Sequence, residues 1–172
     1  ELLKKKIPLG QISEQPDSYD PRLLVSIPRG LARDAEGIKS NFFKGHDLWR
    51  CWEVSWLNPN GRPEVRVGQL IVPSDSPNIC ESKSLKLFLN SLANEVFKSD
   101  IEAKNRIVND LTPILGVMPS FDLFSVSDSR FLVGSLDGIC LDHLAVNVAV
   151  YTPNADLLQV DPHARGKDSL FT

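Results

Sequence analysis

Residues 47–72 constrain the fold more tightly than any other part of the chain. Asp47 to Leu57, DLWRCWEVSWL, sets Leu48, Trp52, Val54 and Trp56 on one parity and Glu53 and Ser55 on the other, the alternation of a half-buried strand. NPNGRP follows, and then Glu64 to Val72, EVRVGQLIV, is again β-branched and strand-like. Proline and glycine in so short a connection make it a hairpin, so the two strands run antiparallel. A doubly wound nucleotide fold needs alternating strands and helices with GxGxxG at the first turn, and this chain has neither.

Helical periodicity follows the hairpin. In ICESKSLKLFLNSL, Leu85, Phe88, Leu89 and Leu92 recur at helical spacing, with Val96 continuing the same face. A second helix opens on Ser99 and Glu102, a capping-box pattern, carries Ile101, Val108, Leu111 and Leu115, and stops at Gly116. Phe121 to Val126 and Ala145 to Tyr151 read as two further strands, separated by a turn region at FLVGSLDG. The order β-β-α-α-β-β predicts an α+β module: an antiparallel four-stranded sheet with two helices on one face.

Residues 1–46 are rich in proline, glycine and charge, with Pro21 and Pro28 breaking regular structure, so they are expected to form an extended arm. The module is expected over 47–152, with 153–172 as a linker toward a second module. A chain of 172 residues with 42% hydrophobic content fills a core without staples, and its net charge of −3 argues against general nucleic-acid or membrane-surface binding. Three cysteines with no CxxC spacing indicate neither a disulfide framework nor a zinc knuckle, and a reducing compartment follows. No apolar run reaches membrane-spanning length, and ELLKKKIPLG lacks the apolar core of a secretory signal, so the cytoplasm is the expected location.

His46, His143 and His163 stand in unrelated surroundings without HExxH, HxH or GxSxG, so no catalytic histidine or metal site is expected. Cys51 and Cys140 sit in apolar settings and read as buried small hydrophobes. The stretch at 80–88 is different. Lys83 and Lys86 occupy the first turn of a helix, where the dipole favours acids. Exposed amides, the hydroxyls of Ser82 and Ser84 and the two lysines together suit a phosphorylated ligand. Glu81, as an acceptor of two hydrogen bonds, suits a guanine-type edge. A solvated helix face with a serine cap is the alternative reading of the same residues.

CESKSLKLFLNSL closely resembles the signature E-[SL]-K-[SA]-x-K-[LY]-[YFW] of the NADPH-dependent 7-cyano-7-deazaguanine reductases, the nitrile reductases of queuosine biosynthesis; Glu81, Ser82, Lys83, Ser84, Lys86, Leu87 and Phe88 all fit. SYDPRLL, IPRGLARD, HDLWRCWEVSWLNPNGRP and DGICLDHLAVNV extend the likeness to the amino-terminal half of the two-module members, from about Leu9 to Pro162. The resemblance implies a tunnelling fold whose modules assemble into a barrel, hence a homo-oligomer, with no direct contact to nucleic acid or membrane. It implies a cysteine that attacks the nitrile to give a thioimide, an aspartate that donates a proton, and two NADPH hydrides that carry the carbon to the amine level. Cys80, Glu81 and Ser82 would bind 7-cyano-7-deazaguanine, while Ser82, Lys83, Ser84 and Lys86 would bind NADPH.

The likeness fails at one place. The family's C-P-x-T-G-Q-P-D pattern falls on the hairpin, but the loop here is LNPNGRPE: Leu57 or Asn58 stands at the nucleophile's position and Glu64 at the proton donor's. No catalytic residue is therefore expected in this chain, and the cysteine-bearing second module of two-module members would supply them. Two alternatives stand beside this reading. One is a non-catalytic tunnelling-fold scaffold; the other, a zinc-dependent pterin or purine enzyme of that fold, lacks clustered ligands.

Overall fold

In the computed structural model the described residues are 16–38, 44–131 and, beyond these, 134, 138, 140, 143, 145, 147, 149–152 and 154–157. The chain divides after residue 133 into two units. The first carries strands β1 (Ser26–Pro28), β2 (His46–Leu57), β3 (Pro63–Pro73), β4 (Asn78–Cys80) and β5 (Ser120–Ser125), with helices α1 (Arg29–Ala35), α2 (Ser82–Ser91) and α3 (Asp100–Leu115). In the second, the described residues include one short 3-10 turn, Ala155–Leu157.

The α+β class and the hairpin are observed as read from the sequence. β2, β3 and β5 form an antiparallel sheet in that order, with Asp47 opposite Val72 and Leu57 opposite Pro63. Asn58 closes the loop, because its backbone N–H donates to Arg62 O at 2.8 Å and its side-chain oxygen accepts from the amides of Asn60 and Arg62. The fourth strand, expected over Ala145–Tyr151, lies partly outside the described residues, and those of its residues that are described belong to no strand. One pairing was not anticipated: β1, in the arm, runs antiparallel to β4, with Ser26 opposite Cys80.

Strand β2 departs from simple alternation. Its register against β3 shifts between Cys51, opposite Gly68, and Val54, opposite Arg66. Trp52 and Glu53 thus share one partner position, a β-bulge, and the bulge reverses the strand's parity. Cys51 faces the core before it and Val54 and Trp56 after it, whereas Leu48 and Trp52 are 46% and 62% exposed. Leu48 and Trp52 were expected on the buried side; the extra residue puts them on the other face. Gly68 accommodates the packing here, since a Cβ on it would lie 2.7 Å from the Phe121 ring and 3.1 Å from Val54.

The core lies between this sheet and the two long helices. Val54, Trp56, Leu70, Val72 and Phe121 meet Leu85, Phe88, Leu89 and Leu92 around α2 and Ala103, Ile107, Leu111 and Leu115 on α3. Each large apolar side chain so buried contributes roughly 1.5–3 kcal/mol. Two expectations shift by a fraction of a turn. Ile101 is 69% exposed, so the buried stripe of α3 runs through Ala103 and Ile107 instead. Val96 is 57% exposed and lies beyond α2, in a single parallel bridge to Leu57. That bridge occupies the outer edge of β2: Leu57 N–H donates to Glu95 O and Phe97 N–H to Leu57 O, at 2.8 and 3.0 Å.

Helix α3 begins as its capping pattern predicts, with Ser99 Oγ accepting from Glu102 N–H at 3.3 Å. The Glu102 carboxylate reaches back to the amide of Lys98, at 2.7 Å. At its far end Gly116 adopts φ 72° and donates to Thr112 O. The carbonyl of Ile114 accepts from Ser26 Oγ and Asn78 Nδ2, which ties the last turn to β1 and β4.

Candidate functional site

Helix α2 is started by a glutamate. Glu81 is its N-cap, and its carboxylate accepts from the amides of Lys83 at 3.0 Å and Ser84 at 2.7 Å. A carboxylate there satisfies two otherwise unpaired donors and meets the positive end of the helix dipole. The chain thus contains the anion that two lysines in a first turn call for. The cap side chain comes from Glu81 and not from a serine, and Glu81 is only 4% exposed.

The arm braces this helix start. Glu81 N–H donates to Val25 O at 2.9 Å. Ser84 is fully buried; its Oγ donates to Glu81 O at 2.7 Å and accepts from Val25 N–H at 3.1 Å. Farther along, Ser91 Oγ donates to Phe88 O and accepts from Asp20 N–H. Tyr19 packs its ring 6.3 Å from Phe88 and donates its hydroxyl to Asp110 on α3 at 2.6 Å. Arg29, at the start of α1, pairs with Asp47 and donates to Ser76 Oγ, joining the arm to β2 and to the β3–β4 turn. Within the segment expected to be an extended arm, residues 16–38 therefore form a strap with a short strand and a helix of its own.

A cavity of about 660 Å³ opens between β2 and α2. One wall is the strand around the bulge, with Trp49, Arg50, Cys51, Trp52, Glu53 and Ser55. The other is one stripe of the helix: Ser82, Leu85, Lys86, Leu89 and Asn90, continued by Ala93. Of the residues expected to bind ligands, Ser82 and Lys86 open into this cavity. Cys80, Glu81 and Ser84 are buried behind the helix start, and Lys83 is half-buried beside it. Sequence reasoning missed Trp49, Arg50, Glu53 and Asn90. Ser82, Lys86 and Asn90 repeat every four residues, a signal that was legible; the bulge that aligns the strand's residues with them was not.

The thiols do not have the character of nucleophiles in this unit. Burial pushes the Cys51 thiol up to about 11 and also raises that of Cys80, whose Sγ lies 3.6 Å from Ser84 Oγ. Cys140, expected to be buried, is exposed. In the hairpin, Glu64 receives hydrogen bonds from Arg62 at 2.7 Å, Asn58 at 3.2 Å and Arg66 at 3.2 Å. The Arg62 guanidinium, more than any other contact, holds its carboxyl below the ordinary range. A carboxylate kept ionised in this way is a poor proton donor near neutral pH. Among the described residues, no group of three or more His, Cys, Asp or Glu is placed to hold a metal ion, and no helix is long and apolar enough to cross a membrane.

Residues 15–119 match the family described as nitrile reductase, 7-cyano-7-deazaguanine-reductase N-term. The chain belongs to this family. It is 40% identical over 164 residues to the NADPH-dependent 7-cyano-7-deazaguanine reductase of Teredinibacter turnerae, covering 95% of this chain and 59% of that protein. The protein of the same name from Ralstonia nicotianae is 40% identical over 158 residues, covering 90% of this chain and 57% of the relative. That from Paraburkholderia xenovorans is 39% identical over 164 residues, with 94% and 60% covered. The chain therefore spans somewhat more than half the length of these nitrile reductases. The matched stretch includes the arm from Gln15, the hairpin, the whole cavity and α3.

Proposed function

We propose that this chain supplies the ligand-binding half of an NADPH-dependent reductase that converts the nitrile of 7-cyano-7-deazaguanine to the primary amine in queuosine biosynthesis. The carrying observation is that the helix bearing the family signature also forms one wall of the chain's cavity. Ser82 and Lys86 face the cavity, where a hydroxyl and an ammonium suit a dinucleotide phosphate. Lys83 flanks them in the same first turn, and Ser84 supports the group from behind through its bonds to Glu81 and Val25. Glu81 reads the deazaguanine edge, with Cys80 and Ser82 on either side. A carboxylate has about four lone-pair directions, so capping α2 leaves it acceptor capacity.

The nucleophilic cysteine and the proton-donating acid come, on this reading, from a second module that joins this one in an oligomeric barrel. Support lies in the relatives' greater length, in the absence of a cysteine from the hairpin loop at 57–64, and in the lowered pKa of Glu64. NADPH, when bound, supplies the hydrides. This chain's residues hold and orient the two ligands.

Calorimetric titration of both ligands against the assembled two-module protein tests the assignment. Glu81→Gln should weaken the deazaguanine and spare NADPH, and Lys83→Ala should do the reverse. Loss of a charge-assisted hydrogen bond costs roughly 1.5–3 kcal/mol, or about one to two orders of magnitude in affinity. Small, equal losses for both ligands in both variants would instead fit a scaffold that kept the fold without the chemistry.

A further inference from the structure

The strand that leads into Glu81 is held in a ribbon too short to be stable alone. β1 and β4 pair Ser26 with Cys80, Ile27 with Ile79 and Pro28 with Asn78, and Pro28 has no N–H to give the ladder. An isolated two-stranded ribbon is marginal in water, so this one depends on what anchors its ends. At the Glu81 end the anchor is Val25, whose carbonyl accepts from Glu81 N–H at 2.9 Å and whose N–H donates to Ser84 Oγ at 3.1 Å. At the other end it is Arg29, the residue after β1. Its backbone N–H donates to Pro77 O at 3.0 Å, its Nε to Ser76 Oγ at 2.9 Å, and its guanidinium pairs with Asp47. Ser76 is buried, and its Oγ in turn donates to Asn78 O at 2.8 Å.

Arg29 thereby reaches the chain segments that lead into both walls of the cavity. Asp47 lies two residues before Trp49 on β2, and Glu81 directly precedes Ser82 on α2; Trp49 and Ser82 both line the cavity. The Arg29 side chain is only 11% exposed, and the planar fork of a guanidinium holds a hydroxyl and a carboxylate at once, at a fixed separation. We infer that Arg29 is a positioning residue: by tying the strap to β2 and to the β3–β4 turn, it fixes the β1–β4 ribbon and with it the place of the Glu81 carboxylate at the start of α2. The effect on 7-cyano-7-deazaguanine rests on the reading of Glu81 proposed above.

Amide hydrogen exchange of the two-module protein reads the placement of Glu81 without a ligand. Arg29→Met removes the ion pair and the bond to Ser76 while keeping an unbranched side chain. A residue that only adds stability would, when replaced, quicken exchange equally at Glu81, Ser84 and Leu70, the last a buried residue of the central strand. With Arg29 as a positioning residue, Glu81 and Ser84 should quicken at least about fivefold more than Leu70, because they open with the ribbon and not with the whole fold. Tyr19→Phe, which cuts the strap's bond to Asp110 and leaves both anchors of the ribbon in place, should keep the three in step. Asp47→Asn, at a half-buried residue, repeats the comparison should the methionine variant fail to fold. Calorimetry should show Arg29→Met binding 7-cyano-7-deazaguanine about tenfold more weakly and NADPH within about threefold of the parent, with Arg29→Lys, which keeps the charge, in between. Exchange at Glu81 and Ser84 that keeps step with Leu70 in both Arg29→Met and Asp47→Asn overturns the inference and leaves the proposed function standing. Local quickening with undiminished affinity for 7-cyano-7-deazaguanine leaves Arg29 as the positioning residue and overturns the recognition role of Glu81 instead.

Discussion

Replacing Glu81 separates its structural role from its proposed role in recognition. In Glu81→Ala, two backbone donors lose a charged acceptor. The amide of Lys83 is half-buried and regains water; that of Ser84, in a fully buried residue, does not. Loss of an N-cap costs about 0.5–2 kcal/mol and an unsatisfied buried donor about 1–3 kcal/mol. The two ranges describe overlapping effects, so a loss of about 2 kcal/mol is expected. At a urea m value near 2 kcal/mol per molar, the unfolding midpoint falls by about 1 M. Glu81→Gln keeps one oxygen acceptor and faces the other amide with N–H₂, so its loss should be about half as large. Glu81→Asp should cap almost as well, because aspartate is a favoured N-cap, but it withdraws the carboxylate by one methylene. Urea unfolding followed by circular dichroism ranks the three. A midpoint shift below about 0.2 M for Glu81→Ala would refute the capping argument. An aspartate variant as stable as the parent and equally tight for 7-cyano-7-deazaguanine would refute the role of this carboxylate in recognition.

Gly68→Ala should destabilise by about 1–3 kcal/mol, because the new Cβ lies 2.7 Å from Phe121 and the close-packed core offers little room to shift; thermal unfolding reads the change. Ser84→Ala should cost about 0.5–1.5 kcal/mol in the same assay, since the half-buried Val25 N–H loses its acceptor. Iodoacetamide at pH 7.5 should alkylate Cys140 quickly and leave Cys51 and Cys80 until the chain is unfolded, with mass spectrometry locating the adducts. Burial raises both inner thiols, so the thiolate fraction of Cys51 becomes appreciable only as the pH approaches about 11. For the same reason, incubation of this chain alone with the nitrile should add no mass; an adduct on Cys51, Cys80 or Cys140 would overturn the assignment of the nucleophile to another module.

Local order was legible in the residues because it depends on short-range periodicity and capping. DLWRCWEVSWL and EVRVGQLIV read as strands, NPNGRP turns, Ser99 and Glu102 cap α3, and Gly116 is the residue that tolerates φ 72°. The helix face through Leu85, Phe88 and Leu89 was equally plain. What required the tertiary structure depends on partners distant in sequence. The parity reversal in β2 arises from pairing one residue of β3 against two of β2, and no pattern within β2 alone announces it. The burial of Glu81 and Ser84 comes from Val25, more than fifty residues earlier, which pairs with both. The cavity joins a strand edge to a helix stripe, so Trp49 and Cys51 of β2 come to line one cavity with Leu85, Lys86 and Leu89 of α2. Periodicity decides which element forms and which side is apolar; only the packing of one element on another decides where a charged side chain has lost its water and what it meets instead.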